Sequence, residues 1–184
     1  MYKTILIYFL ASFTVNIVNA QSILTPSLGD TLDVSSIESR NQIDYKAGTD
    51  TTVTATVIES YESGQIKLRR SVVNGLAVGL WMEWYESGMP RYMAEWKQGM
   101  GHGTWIYFHD NGQISSRETV KNDVWHGVSE SWYANGLKKT EGHHQDGAKH
   151  GFWNYWAPDG SHERTEEFVN GTLINTYTEY KNTK

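Results

Sequence analysis

The chain repeats itself every 24 residues. Gly64, Gly88, Gly112, Gly136 and Gly160 hold one register, and Gly79, Gly103, Gly127 and Gly151 hold a second. Trp84, Phe108, Trp132 and Trp156 hold a third. A turn register carries Asn74-Gly75, Gln98-Gly99, Asn122-Asp123, Asp146-Gly147 and Asn170-Gly171. A period of this length marks a repeat architecture, in which a single unit cannot bury its own apolar side and must stack on its neighbours. No window shows sustained helical periodicity, so the unit has to be built from strands.

Each unit holds two short apolar runs and two turns. The first run is Gly79-Leu80-Trp81-Met82-Glu83-Trp84-Tyr85 and its copies; the second is 65–73, 89–97, 113–121, 137–145 and 161–169. Asn111-Gly112, Asn135-Gly136 and Asp159-Gly160 between β-prone runs are hairpin signals, because both residue types tolerate positive φ. The expected fold is all-β: an elongated, single-layer antiparallel meander of stacked β-hairpins, alternating a tight turn at Gly88 and its copies with a longer second turn.

Side chains alternate along a strand. In the second runs Ile66, Leu68, Val72, Tyr92, Trp96, Ile114, Val120 and Phe168 share an apolar parity, whereas Lys67, Arg69, Arg91, Lys139 and Glu163 share a polar one. A two-residue type I′ turn would set Tyr85 opposite Pro90 and Trp84 opposite Arg91. Trp81, Tyr85, Trp105, Tyr107, Tyr133, Trp153 and Tyr155 then join the apolar face, and Trp84, Phe108, Trp132 and Trp156 sit among charges on the other. A three-residue loop with a glycine bulge would shift that register; the two-residue turn is the expectation.

The pattern of Gly103-Thr104-Trp105, Tyr107-Phe108 and Asp110-Asn111-Gly112 resembles the MORN repeat in its bacterial 24-residue variant. Lys149-His150-Gly151-Phe152-Trp153, Tyr155-Trp156 and Asp159-Gly160 carry it again. The resemblance spans roughly residues 57–175. The third copy departs from it, with Ser129 in place of the first Trp and Asp123 in place of the turn glycine, so that unit is expected to be looser. The resemblance implies stacked hairpins in one long sheet and, through a label attached to many bacterial members, an antitoxin.

The ends read differently. Residues 1–20 place Lys3 before the mostly apolar run Ile5–Val18, with small residues at Val18-Asn19-Ala20, the order of a secretory signal cleaved before Gln21. Residues 21–50 are polar and read as a linker. Thr51–Ser60 is β-branched and aligns with half a repeat, an N-terminal cap for a repeat domain over 51–175. Residues 176–184 form a C-terminal tail. There is no cysteine, so an exported chain would be held by packing alone. Loss of residues 1–20 leaves 15 basic and 21 acidic side chains, a formal charge of −6. With no basic cluster, nucleic acid is not an expected partner, nor is strong membrane binding once the signal is gone.

The residues with chemistry are few. His102, His126 and His150 recur in phase, but equivalent positions in adjacent hairpins lie two strands apart, roughly 10 Å, too far to share a zinc ion whose ligands sit about 2 Å away. They are expected in turns. His143-His144 with Asp146 falls outside the phase and reads as a solvated strand end. No nucleophile elbow or phosphate-cradling loop occurs, so no catalytic residue, metal or cofactor is expected. That leaves the aromatic rows. One is core; a second, of Trp84, Phe108, Trp132 and Trp156 flanked by Arg91 and Lys139, would be an exposed patch of the kind that marks a binding surface. The function this implies is a non-catalytic exported scaffold for a protein partner. A cell-envelope glycan binder using the aromatic ladder is the alternative. A cytoplasmic antitoxin is third and conflicts with the signal.

Overall fold

The computed structural model describes residues 29–178; the expected signal segment lies outside them. Fourteen strands follow one another: β1 (Thr31–Asp33), β2 (Ile37–Arg40), β3 (Ile43–Lys46), β4 (Ala55–Ser60), β5 (Ile66–Val73), β6 (Leu76–Trp84) and β7 (Pro90–Lys97). Then come β8 (Met100–Phe108), β9 (Ile114–Lys121), β10 (Val124–Trp132), β11 (Lys138–Gln145), β12 (Ala148–Trp156), β13 (His162–Val169) and β14 (Thr172–Thr178). One 3₁₀ turn, Val34–Ser36, separates β1 from β2. From β4 to β14 each strand pairs antiparallel with its sequence neighbours in one long open sheet, and β1 adds parallel to β4 at its edge. This is the hairpin meander the period implied.

The two turn types are exchanged relative to expectation. The second turns are the tight ones: Asn74-Gly75 has φ of 51° and 81°, Gln98-Gly99 51° and 79°, the positive pair that a type I′ turn demands. Asn122-Asp123 keeps the geometry at 51° and 64° although Asp123 is not glycine. Its carboxylate accepts the Gly101 amide at 2.6 Å, so the unit expected to be looser is tied down by the substituted residue. The turns at Gly88 and its copies are three-residue loops. Gly88 N–H donates to the Tyr85 carbonyl at 2.8 Å and Tyr85 N–H to the Met89 carbonyl at 2.8 Å. This is a turn closed by a left-handed glycine at φ 84°.

The longer loop moves the register by one, and a bulge moves it back. Trp84 faces Pro90 rather than Arg91, and Glu83 faces Tyr92, which leaves Arg91 unpaired. The same step recurs beside Phe108, Trp132 and Trp156. Beyond the bulge the pairing is the one a two-residue turn would have set, so Trp81 still shares its face with Tyr92 and Trp96. Only residues before the bulge change sides: Ile114 pairs with Phe108, away from Val120's face.

Both margins of the sheet are stapled from unit to unit. At the tight turns Gly75, Gly99, Asp123, Gly147 and Gly171 donate their amides to Val53, Ala77, Gly101, Trp125 and Lys149 of the preceding unit, at 2.7–3.0 Å. At the three-residue loops the hydroxyls of Tyr61, Tyr85 and Tyr133 donate to the carbonyls of Trp84, Phe108 and Trp156 in the next unit, at 2.8–3.0 Å. His109 Nε2 takes that place toward Trp132 at 3.0 Å. Because each loop needs one left-handed residue, Gly112→Val should lower stability by about 1–3 kcal/mol through backbone strain, read as a fall in thermal midpoint. Space is not the cause, since a Cβ there meets only the flexible Met89 side chain, Sδ at 3.4 Å and Cε at 3.9 Å. A wild-type melt would contradict the loop geometry.

The described part of the expected linker is folded. Residues 31–46 supply β1, the 3₁₀ turn and the β2–β3 hairpin. Val53, Ala55, Val57 and Val72 form an apolar core cluster, with Leu32, Val34 and Ile37 packed against it. The hairpin docks on the first tight turn: Asp44 N–H donates to the Gly75 carbonyl at 2.8 Å, and Val53 N–H to the Asp44 carbonyl at 2.9 Å. Contact is so close that a Cβ on Gly75 would lie 2.5 Å from Ile43 Cγ2. At the other end β14 continues through Thr178, so residues 176–178 of the expected tail belong to the sheet.

Candidate functional site

With no second layer over most of the sheet, each face has to shelter its own apolar groups. On the first face the rings do so by leaning on one another. Trp81 and Trp96 have centroids 5.3 Å apart, Trp96 and Trp105 5.8 Å, Trp105 and Trp125 5.5 Å. The row continues through His144, 6.4 Å from Trp125, to Trp153 at 5.0 Å. Tyr92 and Tyr107 run beside it at 4.8 Å. Burial raises the hydroxyl pKa of both tyrosines. Trp153 is buried at 4% exposure, but Trp105, expected to be an equal core residue, is half-buried. Ring faces that lie against other rings form a spine and leave few faces for a ligand to stack on.

The spine has one gap and one cleft. The gap is at Ser129, where the in-phase Trp is missing. Glu118 lies across from both Trp105 and Ser129. Its Oε2 is buried without a hydrogen-bond partner, and burial pushes its carboxyl above the usual carboxylate range despite a hydrogen bond from Ser129. The cleft, of about 330 Å³, opens between the β2–β3 hairpin and the Trp81–Trp96 end of the row. Arg70 and Asp44 in its wall pair with each other, at 11% and 6% side-chain exposure.

The second face holds the row singled out from the sequence. Met82, Met93, Ile106, Arg117, Glu130, Glu141, Asn154 and Thr165 follow one another across eight strands. Trp84, Phe108, Trp132 and Trp156 each stand two residues further along their strands on the same side. Three of the four are half-buried, as are Trp81, Trp96, Trp105 and Trp125 on the first face; Phe108 is buried at 6% exposure and is not part of a wet patch. Arg91 and Lys139 occupy the bulge positions and are exposed. They attend the tyrosines rather than the tryptophans: the Arg91 guanidinium lies 6.0 Å from the Tyr85 ring and the Lys139 ammonium 5.6 Å from that of Tyr133.

The charges that do flank the row were not singled out from the sequence. Arg117 and Lys138 lie 5.8 and 5.7 Å from the Trp132 ring. Both bind Glu130, Arg117 through Nε at 2.8 Å and Lys138 through Nζ at 2.8 Å. Burial pushes the Glu130 carboxyl up, but these hydrogen bonds outweigh it and hold the group below its usual range. Lys138 also reaches Glu141 at 2.5 Å. The one available signal was the +2 spacing that puts Glu130 and Trp132 on one side of a strand.

The in-phase histidines are in strands rather than turns, each one residue before a positive-φ glycine at Gly103, Gly127 or Gly151. His126 Nδ1 lies 3.5 Å from Asp146. Among the described residues no group of three or more His, Asp or Glu is placed to hold a metal ion.

Residues 101–122 match the family model of the MORN repeat variant. A comparison with curated proteins finds no match. The matched segment takes in most of β8, the three-residue loop at Gly112 and β9, which is one structural unit. The same left-handed glycines and loop hydrogen bonds recur 24 residues to either side, at Gly88 and Gly136. Residues 101–122 are thus similar to one repeat of the MORN variant, and the units on either side share that unit's loop geometry.

Proposed function

We propose that this protein is a non-catalytic, exported scaffold that binds another protein through the second face of its sheet. MORN repeats are generally interaction modules and typically not enzymes, and the match at residues 101–122 supports that class. The observation that carries the reading is the half-buried row of Trp84, Trp132 and Trp156, with the Arg117 guanidinium and the Lys138 ammonium 5.8 and 5.7 Å from the Trp132 ring. Indole and guanidinium groups dominate protein-binding hot spots, and charge pairs already formed around them need no reorganisation on binding. Arg91 and Lys139, exposed at the bulges, lie at the rim. The glycan reading has less support, because first-face rings lie against other rings and the Trp132 ring on the second face already has the Arg117 and Lys138 cations 5.8 and 5.7 Å from its centre.

The test is affinity capture from the native envelope with the wild-type protein and with Trp132→Ala, alongside retention on immobilised cell-wall glycan. A protein captured by the wild type and lost with Trp132→Ala supports the reading. Retention on glycan that Trp132→Ala abolishes replaces it with the alternative. Intact mass of the bait recovered from outside the cytoplasm should begin at Gln21; a cytoplasmic chain still carrying Met1 would overturn export.

A further inference from the structure

Trp81, Trp105 and Trp153 hold one position of the repeat. In two of them the indole N–H donates to the backbone carbonyl ten residues earlier, Trp105 to Glu95 at 3.3 Å and Trp153 to His143 at 3.2 Å. Trp81 makes no such bond. Its Nε1 is buried without a hydrogen-bond partner, and so is Nε1 of Trp96, whose ring centre lies 5.3 Å away. These two indoles stand in the wall of the cleft of about 330 Å³ beside the β2–β3 hairpin. That volume falls within the range of small-molecule pockets.

A buried donor left unpaired is costly, and folded proteins pair nearly all of them. Both nitrogens are closed to bulk water, so the acceptor they lack has to be brought into the cleft. The other polar groups of the wall define the rest of that molecule. Arg70 and Asp44 satisfy each other, and the second Asp44 oxygen accepts from Ser39 at 2.5 Å. Asp123 spends Oδ1 on the Gly101 amide at 2.6 Å and keeps Oδ2 as an acceptor. Gln42, exposed at the hairpin turn, adds an amide that both donates and accepts. Against the one cation, Arg70, stand two carboxylates, Asp44 and Asp123, so the lining carries a net charge of −1. That charge opposes an anion. A cation gains nothing from indole and guanidinium N–H groups, which only donate. A hydroxyl donates, accepts and carries no charge. Stacking is not on offer, because the Trp81 ring already has Trp96 at 5.3 Å and the Arg70 guanidinium at 5.1 Å.

We infer that this cleft binds a small neutral polyol the size of one sugar unit. Its hydroxyl oxygens accept from Nε1 of Trp81 and Trp96, and one of its hydroxyls donates to Asp123. Recognition is by hydrogen bonds at the ring edges, unlike the stacking an aromatic ladder would use. Gln42 and Asp44 come from the β2–β3 hairpin, outside the 24-residue period, so the later units lack the second wall of this site. The cleft is on the first face, and its occupation is independent of the Trp84, Trp132 and Trp156 row.

The eight tryptophans give eight indole N–H signals in a proton–nitrogen correlation spectrum of the full chain, assigned with single Trp→Phe variants. The probes are glucose, galactose, mannose and N-acetylglucosamine, with glucuronate and glucosamine as charged counterparts of glucose. At least one neutral sugar should shift the Trp81 and Trp96 signals saturably and leave those of Trp84, Trp132 and Trp156 in place. Glucuronate and glucosamine should shift them less than glucose at equal concentration. Asp123→Asn keeps an oxygen for the Gly101 amide, so the chain should melt as wild type, and it should bind the sugar about tenfold more weakly for want of a charged acceptor. Trp132→Ala should bind it as the wild type does, whatever that variant does to protein capture. The inference is overturned by the absence of a saturable shift with all four neutral sugars, or by shifts confined to the second-face indoles. Equal shifts with the charged counterparts, or an Asp123→Asn affinity equal to wild type, overturn it as well.

Discussion

Replacing Arg70 by alanine should destabilise the protein by about 3–5 kcal/mol, the cost of leaving one partner of a buried ion pair uncompensated. Arg70 on β5 pairs with Asp44 on β3, and little of either side chain reaches solvent. Its guanidinium also lies 5.1 Å from the Trp81 ring, where the aromatic spine begins. Without it the Asp44 carboxylate keeps only the Ser39 hydroxyl, at 2.5 Å. The β2–β3 hairpin is then held by its backbone bonds to Gly75 and Val53 with a desolvated charge beneath it. For a domain of this size the thermal midpoint should fall by roughly 10 °C or more, and amide exchange should rise first in β1 to β3. Arg70→Leu/Asp44→Asn removes both charges and should recover much of the loss, because the penalty belongs to the orphaned carboxylate. A melt of Arg70→Ala within a degree of wild type would mean that the pair does not hold the hairpin.

Those strands were the part of the fold least visible in the sequence. Residues 31–46 fall outside the 24-residue period and are polar, and what folds them is distant: Arg70 for Asp44, and Val57 and Val72 for Leu32 and Val34. The sheet itself was legible because its glycines carry geometry. Glycines in phase with Gly88 and with Gly75 mark places where the chain turns left-handed, and that alone dictates hairpins. Which turn is which was not legible, because Asn-Gly suits both. In the tight turn Asn74 also takes positive φ, at 51°, whereas Asn111 in the three-residue loop does not. The residue type is the same in both, so the choice depends on pairing across the strands. The face assignment survived the mistaken turn only because the bulge at Arg91 cancels the extra loop residue, and two opposite one-residue shifts leave no trace in the alternation.

The candidate site was legible in the same partial way. Strand alternation separates Trp132 from Trp153, since the two rows are offset by three positions within the unit, an odd step, as between Trp153 and Trp156. Burial does not follow from alternation. In a single-layer sheet it depends on what the next strand puts beside each ring, and so Phe108 is buried while Trp84, Trp132 and Trp156 are half-buried. Arg117, Glu130 and Lys138 vary from unit to unit, and a reading organised around periodicity passes over them.

The second large effect is expected at Trp153. Its ring lies over Gly142, close enough that a Cβ there would sit 2.2 Å from Cδ2. The indole N–H donates to the His143 carbonyl at 3.2 Å, His144 packs against one side at 5.0 Å, and the Lys149 ammonium lies 4.3 Å from the ring centre. Gly142 has no side chain to move into the space, so Trp153→Ala leaves a cavity and should cost about 3–5 kcal/mol, as for other buried aromatics. Trp132 is the comparison. It is half-buried, and what it touches is the aliphatic and cationic surface of Arg117 and Lys138, which keep Glu130 as a partner when the ring is gone. Trp132→Ala should therefore cost about 1 kcal/mol or less, and on the proposed function it should lose the captured protein while Trp153→Ala, assayed below its melting point, retains it. The paired measurement is a thermal melt and a capture yield for each variant. If Trp132→Ala melts as low as Trp153→Ala and captures as well as wild type, both rows are structural and the second face is not the binding surface.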